Sequence, residues 1–228
     1  MNKNIGVPEI VTVVFMGDSV TFGQHVDPSL RWTDLIEDKL TRHYLPTVVN
    51  LRFLNCGVSG ETTRQGLERF PKEVQDHYPE VLTLQFGFND CNCWVTDRGL
   101  PRVSEAAYRE NLIEMIARAR CFEVQQIILS THYPTMRAKL LPCGETLEVR
   151  RRRYDQIARE VAKSEEVTLC DIETGFPRFT DPELSQLLLP YPDQLHLSPE
   201  GHKRYADHIL PFVTSAIEAV ANEGGGIL

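Results

Sequence analysis

A serine, a histidine and an aspartate stand at positions where the sequence could assemble a nucleophilic site. Ser19 comes just after the apolar run 11–16, and His196 follows Asp193 by three residues, far down the chain. A serine hydroxyl is a weak nucleophile until a base takes its proton. A carboxylate beside an imidazole fixes the tautomer of such a base and stabilises its charged form. The pattern predicts acyl transfer, with Ser19 as nucleophile, His196 as base and Asp193 as the residue that orients it.

Acyl transfer also needs hydrogen-bond donors for the oxyanion that develops at the attacked carbonyl group. Three candidates stand where apolar runs end: the backbone N–H groups of Ser19 and Gly57 and the side-chain amide of Asn89. Two carboxylates, Asp18 and Asp90, stand beside these candidates. We interpret both as supporting residues that accept hydrogen bonds from loop backbone and do not react.

The elements that must position these residues alternate between short apolar strands and amphipathic helices. Because strand and helix alternate, we expect right-handed βαβ units and a parallel sheet covered on both faces, in an α/β, three-layer α/β/α sandwich. The carboxyl ends of parallel strands meet at one edge, which would bring the candidate residues together. Five strands are predicted, at 11–16, 48–54, 81–86, 126–130 and 167–170, with a last helix over 198–221.

One domain is predicted over residues 1–228, with flexible ends at 1–10 and 223–228. The chain is long enough to bury a sizeable core. Residues 20–30 are predicted to be a loop. Segment 91–103 is placed at the active edge of the sheet without an assigned role.

The charge balance excludes some classes of partner. The chain has 24 Lys and Arg against 32 Asp and Glu, a net charge of −8. This argues against a large nucleic-acid interface and against binding to an anionic membrane surface. The dense basic run, four arginines at 150–153, is interpreted as the solvated face of a helix.

Cysteine usage and the start of the chain indicate a compartment. The cysteines are too scattered for a disulfide framework or for paired zinc ligands. No signal peptide is visible, and no apolar stretch approaches the ~20 residues that span a bilayer. We therefore expect reduced thiols, no membrane association and a cytoplasmic protein. The six cysteines are Cys56, Cys91, Cys93, Cys121, Cys143 and Cys170.

Four short blocks of the sequence resemble those of the GDSL or SGNH hydrolases. They occur in the order typical of that family and together reach from Gly17 to His196. Gly17-Asp18-Ser19 resembles the first block, Gly57 within Asn55-Cys56-Gly57-Val58-Ser59-Gly60 the second, Gly87-Phe88-Asn89-Asp90 the third, and Asp193-Gln194-Leu195-His196 the fifth.

This resemblance implies a fold and a set of roles. The fold would be a flavodoxin-like, five-stranded parallel sheet of order 2-1-3-4-5. Ser19, Asp193 and His196 would be the catalytic triad, and Ser19, Gly57 and Asn89 would form the oxyanion hole. No metal and no organic cofactor would be needed.

Four side chains in the strand-end loops are candidates for a substrate pocket: Trp94, His132, Tyr133 and Tyr191. Aromatic faces stack on sugars or pack against acyl chains, although anchoring of the loops would explain each of them equally well. The predicted function is that of a serine esterase acting through an acyl-enzyme. Because the active-edge loops are polar, we expect a short acyl ester, of the acetyl type, of a carbohydrate or other polar alcohol.

Other functions stay open at this point. Within the same class, the chain could be a lysophospholipase or thioesterase with a longer acyl pocket. A metal-dependent phosphoesterase is a different class, since two-metal sites use such side chains, and a catalytically silent binding module is another. The oligomeric state is not predicted. The metal ligands would be Asp18, Asn89, Asp90, Asp193 and His196.

Overall fold

The computed structural model describes residues 10–44, 50–178 and 181–223. In these ranges the strands form one sheet of order β2-β1-β3-β4-β5, and every neighbouring pair is parallel. The predicted five-stranded parallel sheet and its order 2-1-3-4-5 are therefore confirmed. The strands are β1 (Ile10–Gly17), β2 (Asn50–Gly57), β3 (Val81–Gln85), β4 (Gln126–Ser130) and β5 (Thr168–Cys170).

Helices flank this sheet in two packed groups. Helix α2 packs against α7, while α4 packs against both α3 and α5. None of the helices described is both long and apolar enough to cross a lipid bilayer. The helices are α1 (Ser19–Phe22), α2 (Trp32–Tyr44), α3 (Thr63–Glu73), α4 (Glu105–Cys121), α5 (Leu147–Ser164), α6 (Leu184–Leu187) and α7 (Pro199–Glu223).

Strand β1 forms the centre of the core. Its residues from Val11 to Gly17 are all buried, as expected of a parallel strand with a neighbour on each side and helices on both faces. Strand β2 lies at the edge and is only partly buried over most of its length. The position of β1 between β2 and β3 places the residues that follow Gly17 at the carboxyl edge of the sheet, between the ends of these two strands.

The second strand differs from its predicted bounds of 48–54. It continues to Gly57, which pairs with Gly17 of β1, and residues 45–49 lie outside the described part of the chain. A Cβ on Gly57 would lie 2.1 Å from the backbone nitrogen of Phe22. A glycine at this position therefore lets α1 pack closely against the end of the strand. The predicted flexible ends also fall almost entirely outside the described residues.

The arginine run at 150–153 is a solvated face only at Arg152 and Arg153. Arg150 and Arg151 are buried, with 7% and 1% exposure, so that interpretation was wrong for two of the four residues. Arg151 has acidic neighbours on its own helix, Glu148 three residues before it and Asp155 four residues after it, and it pairs with both. The Nε of Arg150 donates to the backbone oxygen of Cys91 at 2.5 Å.

Candidate active site

Ser19 is the first residue of α1, directly beyond the carboxyl end of β1. The Oδ1 of Asp18 accepts the N–H of Val20 at 2.9 Å and so caps this short helix. The turn is tight, because a Cβ on Gly17 would lie 2.1 Å from Oγ1 of Thr21. The predicted loop over 20–30 is thus partly helical, since the Asp18 cap starts a helical turn at the serine.

The three residues predicted to act together lie in one hydrogen-bonded chain. The Oγ of Ser19 is 2.9 Å from Nε2 of His196, and Nδ1 of His196 is 2.7 Å from Oδ2 of Asp193. The other carboxylate oxygen, Oδ1, accepts the backbone N–H groups of Leu195 and His196 at 2.9 and 2.7 Å. With Nδ1–H donated to the carboxylate, the Nε2 lone pair faces the serine hydroxyl.

The environment sets the charge state of this pair. Burial lowers the pKa of His196 below its usual value of 6.5, against the raising effect of Asp193, and the charges of Arg137 and His25 lower it further. Desolvation raises the pKa of Asp193, but hydrogen bonds from the His196 ring and the backbone bring it below its usual value. A neutral imidazole beside an ionised carboxylate is the state that a general base requires.

Two of the predicted oxyanion donors are available for that role. Ser19 begins α1, so its N–H has no acceptor within the helix. The Nδ2 of Asn89 donates to Oδ2 of Asp18 at 3.2 Å, and a side-chain amide has a second N–H to offer. Asp18 therefore holds the Asn89 amide while leaving one donor for a ligand.

The structure does not support Gly57 as the third donor. Its N–H donates to Oδ1 of Asn55 at 2.9 Å, so the hydrogen is already used. Gly60, in the same block, has an open face: no heavy atom lies within 4 Å of the position that a Cβ would take. Its N–H has no acceptor within the described residues. Gly60 was not singled out from the sequence, because both glycines fit a strand-to-helix turn.

The two supporting carboxylates are buried behind the site. Burial raises the pKa of Asp18 to about 6, although the nearby charge of His132 works against this. Burial also raises the pKa of Asp90 to about 6, against hydrogen bonds from Thr63. Asp90 accepts the N–H of Thr63 at 2.9 Å and also its hydroxyl. It thereby ties the start of α3 to the loop that carries Asn89.

Trp94 and Tyr191 line a pocket of about 450 Å³ that also includes Pro192 and Gln194, the residues on either side of Asp193. Arg137 also lines it, and its Nε donates to the backbone oxygen of Asp193 at 2.6 Å. The other predicted pocket residues, His132 and Tyr133, are 1% and 0% exposed. The expectation that these two residues line a substrate pocket was wrong, because both are buried in the core beneath the loops.

His132 is part of a second buried Asp–His pair, which sequence reasoning missed. Oδ1 of Asp155 is 2.6 Å from its Nδ1 and also accepts its backbone N–H at 3.0 Å. The ring packs edge-on against Phe88, with 4.6 Å between ring centroids, and a Cβ on Gly87 would lie 2.5 Å from its Cε1. The loop that carries Asn89 therefore packs against the His132 ring through Gly87 and Phe88.

The proposed metal ligands are not assembled as a set. Among the described residues, His25, Asp193 and His196 offer ligand atoms within 4.8 Å of one another, whereas Asp18 and Asp90 are bound to other protein groups. In this cluster the oxygens of Asp193 already accept three N–H groups. These donors fit an acid–base pair better than a cation site.

Known proteins resemble this chain in sequence and fold. It is 28% identical over 212 residues to the uncharacterized lipoprotein YqeF of Bacillus subtilis, covering 83% of this chain and 84% of that protein. It is 26% identical over 123 residues to esterase TesA of Pseudomonas aeruginosa, 54% of this chain and 55% of that protein. The crystal structure of Axe2, an acetylxylan esterase from Geobacillus stearothermophilus, matches with a TM-score of 0.70 at 20% identity, covering 94% of this chain and 96% of that one.

A family model extends this resemblance across the whole site. The model of the GDSL-like lipase/acylhydrolase family matches residues 15–204, a range that contains Ser19, Asn89, Asp193 and His196. The resemblance drawn from the sequence blocks is confirmed, and the chain belongs to the GDSL-like lipase/acylhydrolase family.

Proposed function

We propose that this ester-bond hydrolase is a serine esterase that works through an acyl-enzyme intermediate. The observation that carries the proposal is the chain of hydrogen bonds from Ser19 Oγ to His196 Nε2 and from Nδ1 to Asp193, at 2.9 and 2.7 Å. The serine oxygen attacks the ester carbonyl while Nε2 takes its proton, and the imidazolium returns this proton to the leaving alkoxide. Water, activated by the same imidazole, then releases the acid.

The oxyanion would be held by the N–H of Ser19, the free N–H of the Asn89 side chain and the N–H of Gly60. Asp18 supports this arrangement by accepting the other N–H of the amide at 3.2 Å. Each such donor is worth about 2.7–4 kcal/mol of transition-state stabilisation. In this proposal Gly60 takes the role that the sequence had suggested for Gly57.

The proposed substrate is a short acyl ester of a carbohydrate or another polar alcohol. Trp94 and Tyr191 are 50% and 82% exposed at the pocket beside the triad, and exposed aromatic rings are suited to stacking on sugars. Arg102 lies over the Trp94 ring, 4.2 Å from its centroid, and holds the ring in place. The fold shared with an acetylxylan esterase is compatible with such a substrate.

A longer acyl group is the second candidate, as in a lysophospholipase or a thioesterase. The same pocket also contains Val95 and Leu140, which are 82% and 61% exposed. Apolar side chains at a pocket rim gain free energy when an acyl chain covers them. The size of the acyl group therefore has to be decided by experiment.

A panel of p-nitrophenyl esters and acetylated xylo-oligosaccharides tests this function. We expect wild-type protein to release acetate, to prefer acetyl over decanoyl esters and to keep its activity in EDTA. A clear preference for the decanoyl ester would overturn the short-acyl proposal and support the second candidate. Loss of activity in EDTA, restored by a divalent cation, would instead support the metal-dependent class.

The pH dependence of kcat/KM follows from the state of His196. Only the neutral imidazole can accept the serine proton, and its pKa is lowered by burial. Activity should therefore fall on the acid side with a midpoint below pH 6.5. Removing the charge of His25, which contacts the His196 ring edge-on at 5.3 Å, should move this midpoint upward in His25→Gln. A midpoint above pH 6.5 in the wild type would contradict the assignment.

We also propose the cytoplasm as the compartment. The six cysteines are free thiols, and thiols persist where the medium is reducing. One similar protein, YqeF, has the name of a lipoprotein. Cell fractionation therefore tests the proposed compartment. Recovery of the native protein with the membrane fraction would overturn the proposal.

A further inference from the structure

Two thiols from different loops meet beside the candidate substrate pocket. Cys93 lies in the loop after β3, and Cys143 lies in the hairpin that the bridge between Leu140 and Thr146 closes before α5. Both cysteines pack against Gly99: the Cys93 thiol contacts its backbone oxygen, and the Cα of Cys143 lies beside the position that a Cβ on Gly99 would take. Each thiol also shifts the pKa of the other. No step of the proposed esterase mechanism uses either sulfur.

Packing around Gly99 holds these two loops together. The Sγ of Cys93 donates to the oxygen of Gly99 at 3.4 Å. The position of a Cβ on Gly99 lies only 3.1 Å from the Cα of Cys143. The hairpin is further fixed by the N–H of Leu141, which donates to the oxygen of Glu145 at 2.8 Å. The path of the backbone thus brings the two cysteines to the same residue, Gly99.

The two thiols differ in how readily they lose a proton. Desolvation raises the pKa of Cys143, but the backbone of Glu145, the Cys93 thiol and the charge of Arg150 together lower it below its usual value. Nη1 of Arg150 lies 3.7 Å from the Cys143 sulfur. Burial raises the pKa of Cys93 to about 11. Because the thiolate is the nucleophile, the half-buried Cys143 is the sulfur that reacts first.

We propose that Cys93 and Cys143 form an oxidation site, which a peroxide converts into a disulfide joining the two loops. Cys93 and Pro142 both line the pocket, so this bond would tie two of its walls together. The effect of this disulfide on catalysis rests on the proposed esterase function, whereas formation of the disulfide does not. A tied pocket should admit a long acyl chain less readily than an acetyl group.

The reaction balances with hydrogen peroxide as the oxidant. The Cys143 thiolate attacks one peroxide oxygen, the O–O bond breaks, and the departing hydroxide takes a proton to become water. The Cys93 thiol then attacks the sulfenic sulfur, the S–S bond forms, and the S–O bond breaks as the hydroxyl leaves with the Cys93 proton. Two thiols give up two electrons, and the peroxide becomes two water molecules. A dithiol reductant reverses the change.

Peroxide titration of the full-length protein tests the site. We expect mild oxidation to remove two of the six thiols, to lower the mass by two hydrogen atoms and to be reversed by dithiothreitol. A tryptic digest should link peptide 73–98 to peptide 140–150. The first peptide contains both Cys91 and Cys93, so the link must persist in Cys91→Ser and disappear in Cys93→Ser.

Variants and kinetics separate this proposal from the esterase function. Cys143→Ser should abolish the cross-link, whereas Cys121→Ser, at an exposed cysteine on α4, should leave it unchanged. A protein with no esterase activity that still forms the link supports the oxidation site alone. Oxidation of Cys143 to a sulfinic acid without a link to Cys93 would overturn it. A link that leaves the hydrolysis of decanoyl and acetyl esters equally unchanged would overturn the effect on the pocket.

Discussion

Ser19→Ala should lower kcat for ester hydrolysis by about 10⁴- to 10⁶-fold, with little change in stability. The variant removes the one atom that attacks the carbonyl, while the oxyanion donors and the pocket stay in place. The Ser19 hydroxyl has a hydrogen bond to His196 at 2.9 Å. Loss of this single hydrogen bond should change the free energy of unfolding little. Steady-state kinetics on p-nitrophenyl acetate and a thermal melt measure the two effects.

Two further variants sharpen this test. His196→Ala should be nearly as inactive as Ser19→Ala, and the double variant should be no worse, because the two residues act as a unit. Ser29→Ala is the matched control. Its hydroxyl donates to Asp27 at 2.7 Å on the protein surface, and its loss should leave kcat unchanged. Labelling of the Ser19→Ala variant by a fluorophosphonate, or activity within tenfold of wild type, would refute the assignment of the nucleophile.

Asp155→Ala should lower the free energy of unfolding by about 3–5 kcal/mol. The side chains of Asp155, Arg151 and His132 are fully buried. Asp155 pairs with Arg151 and accepts both the ring and the backbone N–H of His132. Without it, these donors stay buried with fewer acceptors, although Arg151 keeps Glu148 and Glu173. Urea unfolding at pH 7 measures the loss.

An exposed ion pair provides the control for this variant. Glu160 pairs with Arg109, and the two side chains are 48% and 35% exposed. Glu160→Ala should lower the free energy of unfolding far less than Asp155→Ala, because solvent screens such a pair. Equal losses of unfolding free energy in Glu160→Ala and Asp155→Ala would contradict the prediction that the buried Asp155 network stabilises the fold more than an exposed ion pair. Asp155→Asn, which keeps one acceptor oxygen, should lie between the two.

The strands and the site could be predicted because their signals are local. Short runs of apolar residues that end in glycine marked β1 and β3, and the spacing of Asp193 and His196 marked the base. The parallel sheet then brought the strand ends to one edge. These inferences needed no knowledge of side-chain neighbours distant in sequence.

The differences from the sequence prediction concern side-chain contacts that the residue types alone do not specify. Arg151 follows Arg150 in a basic run, and its burial depends on Glu173 from beyond β5 as well as on its own helix. The choice between Gly57 and Gly60 depends on a hydrogen bond from the former to Asn55.

The hydrogen bond between Ser19 and His196 joins positions 177 residues apart. The proposed nucleophile lies at the end of the first strand, and the proposed base comes just before the last helix. Nearly the whole chain therefore lies in the loop that this contact closes. Closing so long a loop is entropically unfavourable until the intervening elements have packed. Catalytic competence should therefore appear late in refolding, after the sheet has formed. Recovery of ester hydrolysis would then measure formation of the contact between Ser19 and His196. Circular dichroism would measure only the formation of helices and strands.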